Sequence, residues 1–272
     1  MSTRAVQARL PISSDRPRIP GKVFRRAVLA GANLLGAAAF AWPFVLPAAT
    51  GSGDSHASDA PWILVGLLGA MGLLLFLELG RGGMGPKAVA LVAVLGASMV
   101  ALRLPGFVAG FSAMFIVVLV AGNAFGAPFG FLLGAIGTFA SGMFVGGLGP
   151  WLPFQMVAVG WIGAGAGLLP KSRHWSWRIG VLALYGFGAA YVFGALMNLW
   201  FWPFQAGSST LGWAPELGAL ANLRRYAGFY AATSVTWDTA GAIGNAILVL
   251  VLGRPLLGSL DRAARRMNFT LD

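Results

Sequence analysis

Apolar residues in this chain come in long uncharged blocks, separated by short breaks that carry charge, proline or glycine. Residues 27–47 form the first block and predict a helix long enough to cross a bilayer. The polar run 51–60, with Asp54, His56 and Asp59, then predicts an external loop. Residues 61–79 return, and Arg81 and Lys87 mark the next inner loop. Glu78, one turn from Arg81, is read as a local ion pair at that interface. Residues 88–104 cross outward and end at Pro105-Gly106. The next uncharged block runs from Phe107 to Val145. As one helix it would be about 58 Å long, roughly twice the thickness of the hydrocarbon core, so it must be two crossings. The break belongs within Gly122 to Pro128, where glycines permit a tight turn and proline suits a helix start.

The alternation continues to the end of the chain. Residues 146–150 are external, 151–169 return to Lys171, Arg173 and Arg178, and 179–200 go out again. A long external segment, 201–227, holds Gly207-Ser208-Ser209-Thr210. The last helix, 228–252, comes back to Arg254, Arg262, Arg265 and Arg266. About eight helices result, with both termini on the cytoplasmic side of an inner (plasma) membrane. Only Arg103, Arg224 and Arg225 run against the positive-inside bias.

Composition agrees with a polytopic, all-α membrane bundle. The chain is 57% hydrophobic and 10% charged, against about 25% charged residues in soluble domains. A formal charge of +11 would suggest nucleic acid in a soluble protein. Here the basic residues cluster in tails and short loops, where they set orientation instead, so no nucleic-acid partner is expected. Residues 1–26 hold seven basic residues against one acid, with three prolines, and read as a disordered cytoplasmic tail. Phe24-Arg25-Arg26 resembles the start of a twin-arginine signal, but the apolar span that follows is too long for a signal core.

Chemistry is constrained by what the chain lacks. Cysteine is absent, which removes disulfides, thiolate nucleophiles and zinc-thiolate sites. His56 and His174 both fall in predicted loops, so no histidine metal cluster is expected. Gly167-Leu168-Leu169-Pro170-Lys171-Ser172 has the ending of a P-loop without its phosphate cradle. There is no HExxH, no GxSxG and no carboxylate pair at membrane depth, so the chain is read as a non-enzyme with no cofactor.

What remains are glycines, sparse polar groups and aromatics. Glycine recurs at 122, 126, 130 and 134, then Gly137 and Ser141 stand one turn apart, then Gly160, Gly163 and Gly167 follow. That density predicts close approach of helix backbones in lipid. Asp238 is placed about ten residues inside the last helix, where a carboxylate costs about 2.5 to 3.5 kcal/mol and must face protein, water or ligand. Ser234, Asp238, Gly241 and Asn245 form one stripe. It either clamps another helix, through Asn198 or Gln155, or faces a ligand. Arg103 is expected to snorkel to the head groups or to face the same mouth. Gln155 and Asn198 sit near external helix ends beside Trp151 and Trp200, and Phe154, Phe201, Trp202, Phe204 and Trp213 gather at that level. An interfacial aromatic belt accounts for such residues, and so does an aromatic cavity under a long loop.

The run GNAFGAPFGFLLGAIGTFASGMFVGGLGPWLPFQMVAVGWIGAGAGLLP, then GALMNLWFWPF and SVTWDTAGAIGNAILVLVLGRPLL, resembles the substrate-specific S-component of energy-coupling factor (ECF) vitamin transporters, nearest the cobalamin-type branch of actinobacteria. The resemblance implies a six-helix S-component core at 88–253, two additional helices within 27–87 and a basic cytoplasmic tail at 254–272. It implies a vitamin, cobalamin foremost, captured from outside, with a separate T-component and two ATPase subunits as partners. In that family small residues on the first core helix dock on the T-component, and Ala93, Ala97 and Ala101 stand there. The outer loops of the family map to 104–108, 145–151 and 201–227. Trp151, Gln155, Asn198, Trp202 and Asp238 lie on or near them and are the expected substrate-binding residues. Three alternatives stand beside this reading: a stand-alone secondary carrier that couples ions through Asp238, a membrane scaffold or assembly protein with no ligand, and an importer of a queuosine precursor or another vitamin.

Overall fold

The computed structural model of this chain describes residues 22–45, 62, 65–66, 69–70, 73, 86–104, 110–205, 210–214 and 216–266. Eight α-helices have described boundaries: α1 (Lys22–Val45), α2 (Pro86–Arg103), α3 (Met114–Phe125), α4 (Ala127–Ser141), α5 (Leu152–Leu168), α6 (Trp175–Gln205), α7 (Ala219–Thr233) and α8 (Val235–Arg266). Among the described residues there is no β-strand, and the six described positions of the predicted 61–79 helix are all helical. The expected Glu78–Arg81 ion pair, His56 and residues 1–21 of the predicted tail lie outside the described residues. Three stretches, Ala127–Gly146, Trp175–Pro203 and Val235–Arg266, are long and apolar enough to cross a bilayer, which points to a membrane protein.

The bundle is built around α3. All twelve of its residues are buried, and it contacts α2, α4, α5, α6 and α8. Gly126, at φ 94°, ends α3 and starts α4 with Pro128 in the first turn, so the chain reverses on one residue inside the predicted window. The reversal needs a left-handed conformation that a side chain resists. Glycines then let the helices touch backbone to backbone. A Cβ on Gly122 or Gly130 would strike the carbonyl of Gly163, and one on Gly134 would strike Val159 of α5. In lipid such contact, and not water exclusion, holds helices together. Gly122 meets Gly130, Gly142 meets Leu152, Tyr185 meets Gly165 and Asn245 meets Gly186, so α3 to α6 alternate in direction and α8 runs antiparallel to α6. Two ends of the bundle follow, one marked by Arg103 and the other by Arg178. α1 lies against α5, where Phe40 meets Phe154 at 5.3 Å and Trp161 donates to Asn33 at 2.6 Å.

Several boundaries differ from the expected ones; α1 already begins at Lys22, inside the predicted 1–26 tail, and α6 at Trp175. α3 begins at Met114, not near Phe107, and Gly110 to Ala113 form a non-helical segment against α8, where Gly110 takes φ +82° over the backbone of Trp237. Residues 201–227 are not simply a loop: α6 continues through Pro203 to Gln205, and 219–233 form α7. α7 carries Asn222, Arg224 and Arg225, so no apolar block announced it. The last helix starts at Val235, because the chain breaks at Thr233-Ser234, and it continues to Arg266, so most of the predicted 254–272 tail is helical. The break also moves Asp238, which lies in the first turn of α8 and not ten residues inside a helix.

Candidate functional site

At the Arg103 end, three helix termini bring polar groups together. On α2, Val92, Gly96, Met99 and Arg103 follow helical spacing and all are buried, so the side that grips α4 carries its arginine inward at the last turn. Arg103 is 6% exposed and does not snorkel as expected. Its Nη1 donates to Ser141 Oγ at 2.8 Å and its Nη2 to Gln155 Oε1 at 3.3 Å. Ser141 in turn donates to the Thr138 carbonyl at 2.9 Å. A buried guanidinium is tolerated only where its donors find acceptors. Beyond Ser141 the chain forms a π-helical turn, Gly142–Gly146, that lays Gly146 against the guanidinium, where a Cβ would come within 2.7 Å of it. Such turns interrupt regular helices and recur at functional sites. Trp151 precedes α5 at the same end, its carbonyl accepting from Gln155 N at 2.9 Å and its ring lying under Gly149.

A second polar group lies between α6, α7 and α8. Tyr230 donates to Asp238 Oδ2 at 2.6 Å, and the same carboxylate covers Gly194, whose missing side chain makes room for it. Asn198 Nδ2 donates to the Gly194 carbonyl at 2.8 Å on its own helix. Tyr191 and Thr239 share a hydrogen bond of 2.8 Å between α6 and α8, and Tyr226 donates to the Ala195 carbonyl. The partner of Asp238 is thus Tyr230 of α7, and not Asn198 or Gln155.

The five expected substrate residues thus divide. Trp151 and Gln155 join Arg103, while Asn198 and Asp238 converge on Gly194. Trp202 stands apart. It is fully buried, its Nε1 donating to the Leu211 carbonyl at 2.9 Å, with Phe44 stacked at 6.1 Å and Tyr226 edge-on at 5.2 Å. It fastens the 210–214 segment to α6. Trp200 stacks on Phe154 at 6.0 Å and ties α6 to α5. Ser141 entered the sequence reading only as a small residue, and Tyr191 and Tyr230 did not enter it at all. Their signal was scarcity, since the chain holds four tyrosines and two of them, Tyr226 and Tyr230, stand one turn apart before Asp238.

The opposite end is a brace. Arg178, 7% exposed, donates to Asp261 at 2.6 and 3.1 Å and to Asn123 Oδ1 at 2.7 Å, and lies 5.6 Å over the Trp175 ring. It sits in the first turn of α6, which starts at Trp175, whereas the sequence placed it in the inner loop before a helix from Ile179. Asn123 donates to the Ala166 carbonyl at 3.2 Å, which closes the brace onto α5. Lys171 donates to the Ala124 carbonyl at 3.1 Å and so serves the C-terminus of α3, where a cation is favoured. Burial and then neighbouring Arg178 push the Lys171 ammonium below its ordinary pKa, with Asp261 opposing.

Ala93, Ala97 and Ala101 line one side of α2, and all three are exposed. Among the described residues no group of three histidine, cysteine or acidic side chains could hold a metal ion. No protein family, curated protein or solved structure matches this chain.

Proposed function

We propose that this chain is a membrane-embedded solute-binding subunit, an S-component of an ECF-type importer, with the Arg103 end facing outward. The observation that carries this reading is Arg103 itself, a buried guanidinium held between Ser141 and Gln155 from three different helices. Ser141 and Gln155 are neutral acceptors, where those of the Arg178 brace include the Asp261 carboxylate, and the Arg103 fork of donors suits an acceptor-rich solute. Trp151, one turn before Gln155, adds an aromatic side chain at the same end. The exposed stripe Ala93, Ala97 and Ala101 offers the smooth small-residue face that a T-component would need. The solute is a vitamin, with cobalamin foremost, and two ATPase subunits acting through the T-component would supply the energy. The resemblance of the sequence blocks supports the vitamin class, and the geometry supports only a polar, partly aromatic guest. Titration of the purified protein with cobalamin, followed by tryptophan fluorescence, tests the binding step; a flat titration with cobalamin and with other vitamins would sink it.

A second reading is favoured by one contact. The Tyr230 to Asp238 hydrogen bond sits at the junction of α7 and α8, where a titratable group could couple ion movement to a hinge in a stand-alone carrier. Uptake in a host lacking the T-component and ATPases separates the two, since sustained accumulation there belongs to the carrier.

A further inference from the structure

At the Arg178 end, the N-terminal turn of α2 and the C-terminal turns of α8 enclose an open groove of about 380 Å³, lined by Lys87, Ser259, Arg262, Ala263 and Arg266. Three of those five residues are cations, and none of the five is acidic. Arg262 Nη2 donates to Ser259 Oγ at 3.0 Å, and the Ser259 hydroxyl donates to the Pro255 carbonyl at 3.0 Å, so the donors left to the groove belong to its cations. The nearest acid on α8, Asp261, is committed to Arg178 on the other side of the helix. Like charges gathered in one concavity repel each other, and an anion seated among them relieves that repulsion.

The helix surfaces that lead away from the groove say what kind of anion fits. On α8 the spacing Leu252, Leu256, Ser259, Ala263, Arg266 keeps to one stripe, so the cationic lining continues directly into exposed leucines, Leu252 at 41% and Leu256 at 37%. On α2 the stripe Lys87, Ala90, Val94 does the same, and Val94 is 62% exposed. A charged cradle with two apolar tracks leaving it matches an amphiphile, not a free ion. We propose that this groove holds the phosphate of an anionic phospholipid, with its acyl chains lying along the Leu252–Leu256 and Ala90–Val94 tracks. Basic pockets between membrane helices are suited to such head groups. The assignment rests on the groove alone and does not depend on which solute the Arg103 end takes.

Native mass spectrometry of the full chain tests it, with dioleoylphosphatidylglycerol and dioleoylphosphatidylcholine added in turn. The expected result is preferential retention of phosphatidylglycerol. The Arg262→Gln/Arg266→Gln variant should lose that preference by about fivefold per charge removed. A control variant, Arg173→Gln/Arg254→Gln, removes exposed cations outside the groove lining and should keep the preference. Unfolding temperatures without added lipid should be equal for all three proteins, because the substituted side chains lie at the surface. Equal retention of the two lipids would overturn the proposal, and so would an equal loss in the control variant. Stabilisation by inorganic phosphate alone, matching that by phosphatidylglycerol, would overturn the lipid as occupant.

Discussion

Arg178 and Asp261, 83 positions apart, meet in a two-pronged ion pair with N–O distances of 2.6 and 3.1 Å. The pair joins the start of α6 to the end of α8, and through Asn123 it reaches the end of α3. Replacing Asp261→Asn leaves a guanidinium buried without its counter-charge. Removing one partner of such a pair costs about 3 to 5 kcal/mol. The expected outcome is a marked fall in unfolding temperature in detergent, read by tryptophan fluorescence, while an Arg178→Met/Asp261→Leu double substitution recovers much of it.

Arg103→Lys keeps the charge at the opposite end but loses the planar fork that reaches Ser141 and Gln155 together. If the Arg103 end is the solute site, affinity should fall by about tenfold to a hundredfold, the equivalent of one or two charge-assisted hydrogen bonds. A folded Arg103→Lys protein with unchanged affinity for cobalamin would place the solute elsewhere.

Gly163 and Gly188 make a matched pair. A Cβ on Gly163 would strike the Gly130 carbonyl, whereas one on Gly188 meets nothing within 4 Å. Gly163→Ala should destabilise by at least about 1 to 3 kcal/mol through overpacking. Gly188→Ala should be neutral or stabilising by up to about 1 kcal/mol, the helix-propensity difference. Thermal unfolding of the two variants side by side checks the contrast.

Tyr230→Phe deletes the donor to Asp238 and keeps the ring. The hydrogen bond to a carboxylate should be worth about 1.5 to 3 kcal/mol, seen as lost stability. A carrier that uses Asp238 would in addition shift the pH profile of its uptake; a solute-binding subunit would not.

Much of the architecture was legible because it obeys length and periodicity. The 39-residue apolar block from Phe107 to Val145 had to reverse, and of the two glycines in the predicted window it is Gly126 that takes the positive φ. α7 was illegible for the converse reason. Its apolar residues are interleaved with Asn222, Arg224 and Arg225, and Tyr226 and Asn222 are buried by contacts with the 210–217 segment and α6 that no local pattern encodes. The depth of Asp238 was misjudged because nothing charged marks the break at Ser234, where the backbone departs to φ −127°. Arg103 and Arg178 share one lesson. Arg103 lies at the end of one apolar block and Arg178 just before the start of another, so both read as interfacial cations, yet each turns inward because acceptors from distant helices wait there. Position along the chain set their level in the bundle, and tertiary contact set their direction.

The buried α3 has a consequence for how the protein is made. Twelve helical residues span about 18 Å, well short of the hydrocarbon core, so α3 cannot hold a transmembrane position by itself during synthesis. Its N-terminal approach is seated against Trp237, which the ribosome delivers more than 100 residues later. The segment that leads into α3 therefore takes its final shape only after α8 has entered the membrane. Maturation of the core is a late, post-insertion event, and a chain truncated before Trp237 should remain a substrate for membrane quality-control proteases.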